Sequence, residues 1–335
     1  MSYAIGILDQ SIVIDNETAR EALQQSIQLA KKSEQLGYKR FWVAEHHNMS
    51  QVAGVSPEVL IGHLLAKTEK IHIGSGGVML QHYSPYKVAE NFHLLENLAP
   101  GRVDVGIGKA PGGLQLSTEA LQYGSTSDGI DFEERMTLLK KFLQQSIPED
   151  HPLYGVQATP LPENPLDLFL LGGSENSAKL ATSLHAHYVY ARFLNNSDEV
   201  LEKIASWHAQ NNTGTKLIVA IAVLAAETEE RAKQLAKDIK LYHITFADGR
   251  TLAVQSHKQV EDLREQTSEA FTVNEKQVAV VSGTAASIKE KLDAMHEQYK
   301  IDEFIFHTPL QNRQARNDSY ERLGKIYKKE QISIG

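Results

Sequence analysis

The chain has 335 residues, 41% of them hydrophobic and 23% charged, with a formal net charge of -8 and no cysteine. This is the composition of a soluble globular protein with enough chain for one large α/β barrel or two smaller domains. It excludes disulfides, thiolate nucleophiles and Cys-ligated metals, and the absence of a basic tract argues against nucleic-acid binding. No apolar run is long enough to cross a bilayer, and Asp9 and Gln10 interrupt the N-terminal apolar stretch, so neither a membrane anchor nor a secretion signal is expected. The expected location is the cytoplasm.

Tyr3 to Leu8 reads as a buried strand, followed by a helix over Thr18 to Leu36 that Gly37 closes. A second strand spans Lys39 to Ala44. Ser56 and Pro57 open a helix to Lys67, a strand follows from Ile71 to Met79, and Pro85 opens a helix to about Leu98. Arg102 to Ile107 is a fourth strand. Periodicity then weakens through an excursion near residues 109–165, whose last part, Ile147 to Pro165, is rich in proline.

The alternation resumes with a strand at Leu166 to Leu171, a helix at Glu175 to Ser183, a strand at His187 to Tyr190 and a helix at Ser197 to Asn211. A strand at Leu217 to Leu224 and a charged helix at Thr228 to Lys240 precede a polar excursion near residues 242–273. Helix Ala285 to Tyr299, strand Glu303 to His307 and a terminal helix to about Lys328 complete the chain. Eight strands each followed by a helix predict an α/β fold of the (β/α)8 TIM barrel type, one domain over residues 1–335, rather than a doubly wound open sheet. Both excursions are expected at the C-terminal rim, where they can act as lids.

In a parallel barrel the chemistry sits where strands end. The second strand ends in Glu45-His46-His47, a carboxylate and two imidazoles able to exchange protons near neutrality, or simply polar residues finishing a strand. The third contains Gly74-Ser75-Gly76-Gly77, glycines that supply no packing side chain. Either a flat or bulky group approaches their backbone or the barrel interior is crowded there. The fourth runs into Gly106-Ile107-Gly108-Lys109-Ala110-Pro111, which departs from the dinucleotide fingerprint at Pro111 and lacks a P-loop ending. Lys109 is a candidate anion ligand or a plain surface lysine. The fifth is followed by Gly172-Gly173-Ser174, where helix N–H groups with Ser174 and Ser177 could hold a phosphate, or where Ser174 merely caps the helix. No metal set is convincing and no H-E-x-x-H occurs, although Glu45, His46 and His47 with a distant carboxylate leave a metal-dependent barrel hydrolase as the last alternative.

Taken together, Ala44-Glu45-His46-His47, the run from Ile71 to Val78, Gly101 to Gly108 and Gly172-Gly173-Ser174 resemble the bacterial luciferase-like flavin monooxygenase family over nearly the whole chain. The resemblance implies a (β/α)8 barrel, often dimeric, that binds reduced FMN or, in one branch, the deazaflavin F420. By position it implies that His46 is the catalytic histidine beside the flavin, with His47 its neighbour. Gly76-Gly77, often joined by a cis peptide in the family, would carry the isoalloxazine. Lys109, Gly173, Ser174 and Ser177 would hold the phosphate, and Arg192 would border the flavin.

Lys109 stands where luciferases have Arg, Ser84 where many relatives have His, and Gly108 where the luciferase cysteine lies; these departures put light emission in doubt. The expected activity is oxygenation of a small organic substrate with O2 and FMNH2 from a separate reductase. F420-dependent hydride transfer and a non-catalytic flavin-binding subunit are the alternatives.

Overall fold

The structure, a computed structural model, describes residues 3–334 apart from 15, 125–130, 195, 212–213, 238, 250 and 255. Eight parallel strands close into a barrel: β1 (Ala4–Asp9), β2 (Arg40–Val43), β3 (His72–Ser75), β4 (Val103–Gly108), β5 (Asp167–Gly172), β6 (His187–Ala191), β7 (Leu217–Ala225) and β8 (Glu303–His307). Each pairs in parallel with the next, β7 with β8, and β8 with β1 through Ala4 opposite Glu303. Helices follow the strands, and their apolar faces with the outward residues of the strands form the larger core. This is the expected (β/α)8 barrel.

The barrel interior is a separate core of Leu8, Trp42, Ala44, Phe169, Val189, Ile218, Ala220 and Ile305. Below it, toward the N-terminal ends of the strands, lies a charged layer. Arg40 donates to Glu303 at 2.6 Å and to Asp104 at 2.6 Å, and the Trp42 indole donates to the same Asp104 oxygen at 2.8 Å. Burial alone would raise the Asp104 pKa, but the Arg40 guanidinium, with His72 and Trp42, holds it down at about 2. The guanidinium also lies 4.9 Å from the Phe169 ring, so charge and packing fix it together.

Two expectations about elements need correction. The third strand is not continuous from Ile71 to Met79; it splits into His72–Ser75 and Val78–Met79, and across the gap the Ser75 hydroxyl bridges to the backbone of Gly106. The helix after β7 is Glu229–Ala236, shorter than Thr228 to Lys240, because Lys240–Phe246 opens an antiparallel sheet with Thr251–Val254 and Phe271–Gln277. The polar excursion near 242–273 is therefore a folded insertion, and it carries the helix His257–Gln266. The first excursion likewise contains helices Gln115–Leu121 and Phe132–Leu143, with residues 125–130 between them outside the described set. Leu114 from this excursion sits in one small core with Ile244, Val254, Val260 and Leu263 of the insertion. The two excursions thus pack against each other.

Candidate active site at the barrel rim

Glu45 is fully buried just past β2, and its carboxylate is a clamp. It accepts from the Met79 backbone N–H at 2.9 Å and the Tyr83 hydroxyl at 2.7 Å, and it meets His47 Nε2 at 2.6 Å. Burial and this carboxylate push the Tyr83 pKa well up, so its hydroxyl keeps its proton. The His47 backbone N–H donates to Gly112 and His82 pairs with the Pro111 carbonyl, which ties the loop after β4 to the segments after β2 and β3. Glu45 and His47 are therefore structural supports.

His46 is held differently. Its backbone N–H donates to Gly54 at 2.9 Å, while its Nδ1 is buried without a hydrogen-bond partner among the described residues. Burial, helped by the neighbouring His47 and opposed by Glu45, lowers its pKa to about 4, so the ring is neutral at pH 7. A buried ring nitrogen with an open valence is equipped to bond to, or move a proton at, a bound molecule.

The Gly76–Gly77 peptide is cis. A Cβ on Gly76 would lie 2.5 Å from Leu8 Cδ1, and one on Gly77 would lie 2.8 Å from the Gly106 carbonyl oxygen. Of the two readings of this glycine run, crowding against neighbouring strands accounts for the residue type at both positions.

After β5 the position is reversed, since nothing lies within 4 Å of a Cβ built on Gly173. The helix Glu175–Ser183 begins here with Ser174 as N-cap, accepting from Ser177 N–H at 3.3 Å, and the two hydroxyls are 2.7 Å apart. Tyr188 from β6 donates to the Ser174 carbonyl at 3.0 Å and braces the turn. The capping reading is correct, and the open glycine and the exposed Ser174 leave room for an anion beside the cap. Lys109 extends exposed from the adjacent strand, its ammonium 5.7 Å from the Phe132 ring. Gly108 pairs with Leu171 and Gly172 with Tyr190, so Lys109, Gly173, Ser174 and Arg192 follow three consecutive strands. Arg192 itself is 9% exposed and donates to Asp198 at 2.6 Å.

A second buried group at the rim escaped the sequence reading. Asp9 at the end of β1 accepts from Arg316 at 2.7 Å, and both are 1% exposed. His307 ends β8 beside them, its ring 5.3 Å from that of Phe193 and next to the backbone of Leu8. Burial first, then the Arg316 guanidinium, drops its pKa to about 3, and His46 is close enough to add to the effect. The available signal was position alone: His307 is the last residue of a strand.

The two depressed imidazoles make acid stability a direct check. Unfolded histidine takes up a proton near pH 6.5, whereas the folded rings resist to about pH 4 and about pH 3. Their contribution is thus complete above pH 6.5 and is lost as pH falls below it. By pH 5 urea unfolding should show a loss on the order of 2 kcal/mol per imidazole relative to pH 7.5, and a His46→Gln/His307→Gln double variant should flatten that slope. Equal slopes in the two proteins would contradict the burial of these rings.

Among the described residues no set of three His, Asp or Glu side chains could hold a metal ion, and no helix is long and apolar enough to cross a membrane. The model of the luciferase-like monooxygenase family matches residues 5–300. The chain belongs to that family. It is 41% identical over 322 residues to N-acetyl-S-alkylcysteine monooxygenase of Bacillus subtilis (strain 168), covering 95% of this chain and 96% of the relative. Among solved structures it is similar to apo-MsnO8, with a TM-score of 0.76 and 26% identity over 97% of both chains. The barrel is also shared with the oxygenating constituent of 3,6-diketocamphane monooxygenase from Pseudomonas putida, a type II Baeyer-Villiger monooxygenase solved with FMN, with a TM-score of 0.68 and 16% identity over 97% of both chains. As a member of the luciferase-like family the chain is an oxidoreductase, and the rim described above is its candidate active site.

Proposed function

We propose that this chain is the oxygenase component of a two-component system, using FMNH2 delivered by a separate reductase and O2 to oxygenate a small organic substrate. The relative from Bacillus subtilis makes N-acylated S-alkylcysteines the substrate class to test first. In the balanced reaction FMNH2 supplies two electrons and two protons, one oxygen atom enters the substrate and the other leaves as water. The reading includes a homodimer in the cytoplasm.

The observation that carries the cofactor assignment is the open cradle after β5. The helix N-terminus, the Ser174 and Ser177 hydroxyls and the space at Gly173 fit a terminal phosphate, and Lys109 on the neighbouring strand supplies countercharge. The Gly76-Gly77 segment lies on the arc between that cradle and His46, as a ring resting there requires, and Arg192 closes the arc at β6. A bound reduced flavin supplies the activation of O2, which no side chain can perform alone. The protein's part is to bind and orient, to exclude water beneath the two packed excursions, and to hold or move a proton at His46 Nδ1.

Replacing Gly173 by Val separates cofactor binding from folding. The site has space for the side chain, so the thermal midpoint should stay within about 2 °C, whereas the isopropyl group would occupy phosphate space and weaken FMN at least tenfold in a fluorescence titration. Unchanged FMN affinity would move the phosphate elsewhere. Parallel titration with F420 distinguishes the deazaflavin alternative, since tighter F420 binding would replace the oxygenase reading with hydride transfer.

A further inference from the structure

Several stretches of the rim meet where Tyr83 reaches Glu45. The Tyr83 hydroxyl donates to Glu45 Oε1 at 2.7 Å, the oxygen that also meets His47 Nε2 at 2.6 Å, and Oε2 accepts from the Met79 backbone N–H at 2.9 Å. Glu45 and His47 flank His46 in the chain, and Met79 lies two residues beyond the cis Gly76–Gly77 peptide. The carboxylate therefore joins the end of β2 that carries His46 to the glycine segment after β3.

This junction has little slack. A Cβ built on Gly112 would lie 3.0 Å from Met79 Cγ and 3.3 Å from both the Glu45 carbonyl oxygen and His47 Cδ2, so the loop that continues from Lys109 is packed against all three residues. A shift of one of them moves the others. Glu45 is fully buried and depends on its donors, and Tyr83 is the donor that arrives from outside the barrel. It precedes the helix Pro85–Leu98 and lines a groove with Glu58, Lys87 and Asn91 between that helix and Pro57–Leu65. The Tyr83 carbonyl accepts from Arg135 at 3.2 Å, and its ring meets that of His82 edge-on at 6.1 Å. These contacts do not use the hydroxyl, so a phenylalanine at this position keeps the packing and removes only the bond to Glu45.

We propose that Tyr83 is a positioning residue: through Glu45, its hydroxyl sets the spacing and angle between His46 and the Gly76–Gly77 segment, and with them the alignment of a reduced flavin at the rim. The inference rests on the functional reading above and adds to it a residue from the outer helical layer. Tyr83 acts on alignment and not on affinity, because the cradle after β5 is braced separately by Ser174 and Tyr188. A displacement of about 1 Å in such an arrangement costs on the order of 100-fold in rate.

The test compares wild type with Tyr83→Phe, Glu45→Gln and the double variant. Tyr3→Phe is the control, since it removes a hydroxyl bonded to Asp293 and Tyr327 just before β1, at the end of the barrel opposite the rim. Anaerobic titration gives the FMNH2 affinity, and stopped-flow mixing of the loaded protein with O2, without substrate, gives the rate of FMNH2 + O2 → FMN + H2O2. Tyr83→Phe should keep FMNH2 affinity within about twofold and release peroxide about tenfold faster than wild type, while Tyr3→Phe follows wild type in both. If Tyr83 acts through Glu45, the double variant should be no faster than Glu45→Gln alone. In the flavin-free protein, nitrogen-15 NMR of labelled histidine should show the His46 and His47 signals displaced in Tyr83→Phe and unmoved in Tyr3→Phe. A Tyr83→Phe protein with the wild-type oxidation rate and histidine spectrum would overturn the positioning role, as would additive effects in the double variant or a tenfold loss of FMNH2 affinity. Wild type that binds no FMNH2 would instead overturn the functional reading on which the proposal rests.

Discussion

Replacing His46 by Ala is expected to lower kcat/KM by roughly 10²- to 10⁴-fold while leaving FMNH2 affinity and the unfolding midpoint nearly unchanged. The side chain makes no hydrogen bond through Nδ1 among the described residues, so little folding energy depends on it, and only its backbone is tied to Gly54. What the variant removes is a buried ring nitrogen just past β2 that is available to a bound molecule. Because burial has already lowered its pKa to about 4, the wild-type rate should not vary between pH 6 and pH 8 on account of this group. The measurement is product formed per NADH consumed in a reductase-coupled assay across that range. A variant with unchanged NADH use, O2 uptake and product would remove His46 from the chemistry and favour a non-catalytic flavin-binding subunit.

The second large effect concerns folding. Arg40→Met would leave Asp104 and Glu303 facing each other in the barrel interior without their shared cation, a loss of about 3–5 kcal/mol. The denaturant midpoint should fall steeply. An Arg40→Met/Asp104→Asn double variant should recover part of the loss, because one of the stranded charges is then gone. Once folded at low temperature, both variants should still bind FMN, since this layer lies at the opposite end of the barrel interior from the cradle after β5. A midpoint unchanged in Arg40→Met would mean that the buried triad contributes nothing to stability.

The barrel was readable in the sequence because its strands are short apolar runs bounded by capped helices, and strand order follows chain order all the way round. The same rule brought His46, Gly76, Lys109, Gly173 and Arg192 to one rim, although they are spread over almost half the chain. The antiparallel sheet in the insertion was less legible. Its strand Lys240–Phe246 buries only Leu241 and Ile244 fully, so the pattern shows little hydrophobic signal, and its core is completed by Leu114 from a distant excursion. The charged layer was hidden for a related reason. Arg40, Asp104 and Glu303 are separated by up to 263 positions, and each looks like an ordinary polar residue at a strand end until the barrel closes. His307 carried even less signal, because what sets it apart is its burial beside the Asp9–Arg316 pair, whose members come from opposite ends of the chain.

The glycines illustrate the limit of residue-type arguments. Gly76 and Gly173 are equally bare in sequence, yet neighbours fill the space beside one and nothing fills the space beside the other. Only the second fact bears on a ligand.

The central claim is that this rim binds reduced flavin mononucleotide. The most direct test is anaerobic titration of the purified protein with FMNH2, followed by the same titration of Gly173→Val and of His46→Ala. The account predicts saturable binding in the micromolar range, weakened at least tenfold in the first variant and retained in the second. Absence of saturable FMNH2 binding by wild type, or equal binding by Gly173→Val, would contradict it.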